Sequence, residues 1–406
     1  MNATARDARL GIVGCLAVLV LALVAACSGE TYQRYDGSAW PNRRPDVAWP
    51  DASFSGVTTD NGSDTLSVID LAGPRTVGRY PIGFDPLGID GPHHLAIDLV
   101  DRVLFTALSF PAPMISPGPH GTHGFSTVPG TLVRLSLDDF RVLHRADVDY
   151  SPGDVVLTPD RTRVIVSHFD LARAMEFDAG ADGRRGSVWV FDARTLARLH
   201  APIVAGVGIH GMAVTPDSRL LLVTANIEDV LVLIALDRLD EPVVRIPIGP
   251  GGGMARYGPY SVTLSADGAV AFVANRDGRD VRRFDVVSRT FDDLHVAGLR
   301  AAAMFSAIGP GGATLLVPTQ APDQLVLLRT DTLELVRVRR YSRDECQLPH
   351  QVNVSPDGRY FVVCEGDHVG PGAVLAVDPD SLEILGRTTV GVYPDAIAFV
   401  PRGAGR

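Results

Sequence analysis

Pro349-His350-Gln351-Val352-Asn353-Val354-Ser355-Pro356-Asp357-Gly358-Arg359-Tyr360-Phe361-Val362-Val363-Cys364 is the stretch on which the fold turns. An apolar strand opens after Pro349-His350, stops at a Pro-Asp-Gly turn, and resumes as a second apolar run over 360–364. Proline presets φ for such a turn and glycine tolerates positive φ, so the segment reads as a β-hairpin. The unit recurs at Pro92-His93-His94, Pro152-Gly153-Asp154, Ile209-His210-Gly211 and Pro259-Tyr260-Ser261, each leading into a short apolar strand. A degenerate copy lies at 303–308 and a seventh begins at Pro394-Asp395-Ala396. The third strand of every repeat ends in aspartate: Asp70, Asp138, Asp192, Asp237, Asp285, Asp331 and Asp378. Aspartate at a strand end bonds its own turn backbone and starts the return to a fourth strand, which makes these acids grammar of the fold rather than catalysts.

Four strands per repeat describe propeller blades, so the expected fold is all-β, a seven-bladed β-propeller of four-stranded blades. The first repeat opens on its second strand (55–59), and 394–400 is an inner strand. Pairing the C-terminal inner strand with the N-terminal blade closes the ring and removes exposed edges. The landmarks resemble the YVTN family of bacterial propeller repeats, whose pattern runs roughly Pro-His-Gly-Val-Ala-Val-Ser-Pro-Asp-Gly, Tyr-Val-Thr-Asn, Val-Ser-Val-Ile-Asp. The nearest matches are 349–358, Leu222-Val223-Thr224-Ala225-Asn226, Phe272-Val273-Ala274-Asn275 and Leu66-Ser67-Val68-Ile69-Asp70. The resemblance covers about 52–402. It implies the fold, and it leaves function open because the family includes surface, binding and enzymatic members.

Ahead of the repeats, Arg6 and Arg9 precede an apolar run over 10–26 that ends Val24-Ala25-Ala26-Cys27. A charged start, an apolar middle and small residues before cysteine form a secretory signal whose end resembles the bacterial lipobox. The expected organisation is a signal peptide over 1–26, lipidated Cys27 with a polar tether over 27–50, the propeller over 51–402 and a tail over 403–406. Acyl chains contribute about 0.8 kcal/mol per buried methylene, so three of them anchor firmly. The expected location is the cell envelope, lipid-anchored and in the outer membrane, because Ser28 stands where an inner-membrane retention signal has aspartate.

The net charge of −10 excludes a nucleic-acid partner, which requires a basic face. All 37 basic residues are arginine, which excludes Schiff-base and phosphate-loop lysine chemistry. Inner strands start on one face, and the long loops over 109–130 and 170–186 leave second strands on that same face. Long loops on a rigid scaffold carry function. The position after each inner-strand proline rings the channel mouth and reads His93, Gly153, His210, Tyr260, Met304, His350 and Asp395. Such a collar is either a site for copper, zinc or a small ligand, or a set of hydrogen bonds between blades. His94, His120, His123, His168 and His368 fall on the same face as secondary candidates. Cys346 and Cys364 come to one end of one blade, where an oxidising compartment favours a disulfide; joined with His350 and His368 they form the competing metal set.

The main functional expectation is a non-catalytic binding or scaffold module that holds a protein, glycan or small ligand through this face. The alternative is a metal- or cofactor-dependent periplasmic enzyme, redox or lactonase-like, working at the channel mouth, with Asp154 and Asp395 as acids for the lactonase case.

Overall fold

The computed structural model describes residues 46–84, 88–111, 125–126, 128–249 and 256–402. Seven antiparallel sheets form the ring. The closing blade takes its inner strand, Pro394–Pro401, from the C-terminal side and pairs it with Phe54–Asp60 from the N-terminal side. The junction is reinforced at the rim, where the Thr76 backbone amide and hydroxyl both reach the Thr388 hydroxyl, at 2.8 and 3.1 Å. Residues 46–49 also pack on the ring: the Val47 amide donates to the Asp138 carbonyl, and Trp49 donates to the Leu137 carbonyl at 2.9 Å while its ring meets Phe140.

The local chemistry follows the repeat. Asp192 accepts from the backbone amides of Arg194 and Thr195, and Asp378 from those of Asp380 and Ser381, which is the turn-starting role assigned to this position. In the hairpin turns, Thr158, Thr215 and Ser265 donate to the aspartate two residues on, each at 2.6 Å. The left-handed corner belongs to Gly268 and Gly358 in two blades and falls on Arg161 and Ser218 in two others. The apolar cores lie between blades: Leu66 and Val68 of the first blade pack on Leu104 and Val133 of the second, and Leu325 and Leu327 of the sixth pack on Tyr360 and Val362 of the seventh. Burial of each such side chain contributes roughly 1.5–3 kcal/mol, so the blades hold one another rather than standing alone.

Two departures position the site. In six inner strands the pairing register shifts at the mouth, at His93/Leu95, Pro152/Val155, Ile209/Met212, Pro259/Ser261, Pro349/Gln351 and Pro394/Ala396. A bulge re-aims side chains and sharpens twist, and here it brings consecutive residues to the axis. In the sixth blade the inner strand is split into Ala302–Ala303 and Ala307–Ile308. Between the pieces the chain crosses to the seventh blade, where the Phe305 amide donates to the His350 carbonyl and the Val352 amide to the Phe305 carbonyl.

Cys346 and Cys364 form a disulfide, with Cα atoms 5.5 Å apart and 18 residues of separation. Both cysteines are buried in the core between the sixth and seventh blades. A loop of this length gives roughly 3 kcal/mol on the chain-entropy account. Reduction, or Cys346→Ser with Cys364→Ser, should lower the urea midpoint accordingly; an unchanged midpoint would show the bond to be thermodynamically idle.

Candidate catalytic centre at the channel mouth

The bulges and the Phe305 crossing gather His93, His94, His210, Tyr260 and His350 around one aromatic ring. Phe305 lies 4.6 Å from His94, 5.2 Å from His350, and 5.5 Å from both His210 and Tyr260, centroid to centroid. His93 and His94 are 4.6 Å apart, and His210 stacks on Tyr260 at 4.1 Å. These four histidines and Tyr260 are buried, and Phe305 is the half-buried member. Phe305, Glu365 and Asp60 were not among the candidates drawn from the sequence. Met304, the residue assigned to the collar, is buried beside Phe305 and accepts from the Ser261 hydroxyl through its carbonyl at 2.9 Å.

Four carboxyl groups back the rings. Asp154 holds His94: its Oδ1 lies 3.0 Å from His94 Nδ1 and its Oδ2 accepts the Met212 amide at 2.8 Å. An ionised carboxylate only accepts, so His94 carries its proton on Nδ1 and presents a lone pair at Nε2. That Nε2 is buried and makes no hydrogen bond within the protein. His94 reaches this place with φ at +48°, a left-handed conformation uncommon for a residue other than glycine. Such local strain collects at functional sites.

Glu365, fully buried and fixed next to the disulfide, accepts from Gln320 at 3.2 Å and meets His368 Nε2 at 2.7 Å. His368 stacks on Tyr393 at 4.0 Å. His350 Nδ1 bonds the Asp395 carbonyl at 2.9 Å, and Asp395 Oδ1 lies 3.8 Å from His93 Nε2, beyond hydrogen-bond range. Burial, then the nearby charges of Glu365 and Asp60, push the Asp395 carboxyl well above its ordinary value. Burial also raises Asp60 to about 6 against three hydroxyl donors, Ser67, Thr65 and Thr58. Burial lowers His350 to about 4 and His210 well below its usual value, the latter helped by His94 and His350, so both rings are neutral at pH 7. Tyr260 is pushed well up by burial and keeps its phenolic proton.

His168, a secondary candidate, is instead part of the frame. Its Nδ1 bonds the Ser187 carbonyl at 2.7 Å and its Nε2 accepts the Asp149 amide at 3.1 Å. His120, His123 and Cys27 lie outside the described residues. The disulfide consumes both thiols, which removes them as metal ligands. Among the described residues no three His, Cys, Asp or Glu side chains are disposed to hold a metal ion. Two open grooves of the described surface, one between the outer strands at 75–79 and 388–389 and one beside Cys364, contain no collar residue.

Fold and cluster together define a seven-bladed propeller with a closed imidazole and carboxyl centre at the mouth of its channel. Among solved structures it is similar to the periplasmic gluconolactonase of Pseudomonas aeruginosa, at 18 % identity over 86 % of this chain and 99 % of the other, with a TM-score of 0.63. It is also similar to a candidate 6-phosphogluconolactonase of Bacteroides fragilis, at 13 % identity over 87 % and 100 % of the two chains, TM-score 0.61. A third likeness is the dihydro-heme d1 dehydrogenase NirN, at 15 % identity over 89 % and 77 %, TM-score 0.56. At these identities the likeness establishes the fold. No family model matches the chain, and no curated protein sequence does. The expectation of a non-catalytic binding or scaffold module, and with it of a protein that is no enzyme, is corrected by these likenesses. The structures named are of lactonases and a dehydrogenase, and they favour the enzymatic alternative. The expectation read the histidines as a displayed face, whereas the fold buries His93, His94, His210 and His350 together beside Phe305.

Proposed function

We propose that this chain is an exported lactone hydrolase, a YVTN-type propeller anchored to the outer membrane through lipidated Cys27. The observation that carries the reading is the Asp154–His94 pair, with Nδ1 committed at 3.0 Å and a buried Nε2 making no hydrogen bond within the protein. In the reaction His94 Nε2 takes a proton from water, and the hydroxide adds to the lactone carbonyl. The resulting oxyanion collapses with cleavage of the ring C–O bond, and His94 returns the proton to the departing alkoxide. Water and lactone become one hydroxy acid, with no other reactant. Tyr260, held in its phenolic form, and the neutral imidazoles supply hydrogen-bond donors around the developing oxyanion. The structural likeness to two lactonase-type propellers supports the same reading.

The test is ring opening by the purified domain, residues 28–406, followed by pH-stat on a panel of γ- and δ-lactones. His94→Ala should lower kcat by roughly 10²–10⁴, the worth of a positioned general base. Absence of turnover on every lactone, or a His94→Ala protein of wild-type rate, overturns the reading.

A further inference from the structure

The outer rim of the ring is not charged evenly. Three adjacent blades, the sixth, the seventh and the closing one, end in the outer strands Leu335–Arg340, Ile384–Val392 and Arg75–Pro81. These strands carry six arginines, Arg75, Arg79, Arg337, Arg339, Arg340 and Arg387, and no aspartate or glutamate. The other four outer strands, Val142–Asp147, Ile203–Gly206, Val244–Pro247 and Thr290–Gly298, hold two arginines against three aspartates. In a chain of net charge −10 the basic excess is confined to one arc. Strand pairing sets these arginines in two grooves beside the seventh blade. Arg337 stands opposite Leu327 and Arg387 opposite Leu375, two residues of the core between the sixth and seventh blades. Directly opposed residues share a sheet face, so both guanidinium groups turn into the groove outside that core. Arg75 and Arg79 line the second groove, between the seventh blade and the closing one, with Thr76, Thr388 and Thr389. Arg339 is held by Glu345 at 3.1 Å and Glu383 at 2.6 Å, and Arg75 reaches Asp70 at 3.5 Å. Among the described residues no carboxylate lies within ion-pair distance of Arg79, Arg337, Arg340 or Arg387, and all four are exposed. Between and beside the grooves the same strands expose Leu385, Leu335, Val336 and Val338.

Charge on an outer strand also guards against edge-to-edge pairing. All seven outer strands share that need, whereas the arginine excess sits on three neighbours. Arginines interleaved with exposed aliphatic side chains match a surface of anionic headgroups over hydrocarbon. There each cation gains from the surface potential and each apolar group from partial immersion. We propose that the outer edge of the seventh blade, with the arginine-lined groove on either side of it, is a docking face for an anionic lipid membrane. The outer strands run from one face of the ring to the other, so in this pose the channel mouth opens along the membrane and is not covered by it. None of these arginines belongs to the cluster at the mouth. The proposal therefore goes beyond the hydrolase reading, and either can fail alone.

The ring closes on itself by pairing Phe54–Asp60 with Pro394–Pro401, so the unacylated domain, residues 28–406, is the species to test. Its partition onto vesicles of phosphatidylcholine alone, and onto an equimolar mixture with phosphatidylglycerol, is measured by flotation at low and high salt. The expected result is binding to the mixed vesicles at least about tenfold stronger than to the neutral ones at about 50 mM salt, lost at about 500 mM as screening shortens the reach of the charges. Arg337→Gln with Arg387→Gln, and separately Arg75→Gln with Arg79→Gln, should each weaken it by about 25-fold, roughly fivefold per arginine. Arg145→Gln with Arg238→Gln takes the same charge from the second and fourth blades and should leave binding within about twofold. Equal partition onto neutral and mixed vesicles, binding that survives high salt, or an equal loss in the control variant overturns the proposal. Capture of dextran sulfate without binding to the mixed vesicles assigns the arc to a soluble polyanion and overturns it as well.

Discussion

Asp154→Asn is expected to lower kcat for lactone opening by between about 10² and 10⁴ while leaving KM nearly unchanged. The reason is a count of hydrogen-bond donors. Three converge on the Asp154 carboxylate: His94 Nδ1, the Met212 amide and the Val155 amide, the amides at 2.8 Å each. Asparagine offers one acceptor oxygen and an amide that only donates. The two backbone amides cannot change role and sit on different oxygens, Met212 on Oδ2 and Val155, with His94, on Oδ1; in the rotamer that keeps the oxygen on Met212, the new amide faces His94. The imidazole then answers by moving its proton to Nε2, and the base is lost without loss of the residue that carries it. Asp154 is a positioning residue, and a merely structural one would behave differently. Its replacement would lower the denaturation midpoint and leave the acid limb of the pH–rate profile in place. The measurement is therefore kcat, KM and the full pH profile of a variant shown to melt cooperatively, with the His94 tautomer read from ¹⁵N shifts. A folded Asp154→Asn protein within tenfold of wild-type kcat sinks the dyad.

The ring itself was legible in the chain because its signals are local and repeated. Aspartate at the end of the third strand and Thr/Ser-x-Asp in the hairpins each satisfy backbone groups within a few residues, and the observed bonds of Asp192, Asp378 and Thr158 do so. Closure by 394–400 and the pairing of Cys346 with Cys364 also followed from strand register. The site was half legible. His93, His210, Tyr260 and His350 were placed at the mouth, but alternation along a regular strand sends His93 and His94 to opposite faces. Only the bulge and the positive φ of His94 bring both inward, and a bulge leaves no residue pattern at that position. Phe305 escaped for a related reason. The stretch Ala301-Ala302-Ala303-Met304-Phe305-Ser306 carries no proline or turn pair to set its register. Its crossing to the seventh blade is a tertiary event, fixed by the exchange of hydrogen bonds with His350 and Val352. Glu365 looked like the first loop residue after a strand, and its importance comes from partners distant in sequence, Gln320 above all.

The protein should lose several kcal/mol of stability as the pH falls from about 6.5 to about 4. His168 and His350 are buried and neutral, each with its folded pKa lowered from 6.5 to about 4, and His210 is also held well below 6.5 by burial. The unfolded chain binds protons on these rings below about 6.5, while the folded chain refuses them until about 4. Stability tied to each ring is thus fully present above 6.5 and disappears as the pH drops through that window, by roughly 3 kcal/mol per ring at 1.36 kcal/mol per unit. Asp60 acts with the opposite sign. Its folded pKa is raised from 3.8 to about 6, so the folded state holds a proton that the unfolded state has released. Its contribution is complete below about 3.8 and fades as the pH rises to 6, again by roughly 3 kcal/mol. Three rings, His168, His350 and His210, stand against two acids raised by burial, Asp60 and Asp395, so the net change on acidification is destabilising. Urea unfolding at pH 7.5, 5.5 and 4.5 reads the slope directly. His350→Gln should make it shallower by removing one ring, and Asp60→Asn should make it steeper by removing the opposing acid. The three hydroxyls that now donate to Asp60, from Thr58, Thr65 and Ser67, can rotate to serve the amide. Stability that holds constant or rises between pH 6.5 and 4.5 would mean that these rings are solvated in solution and that the cluster is not dry.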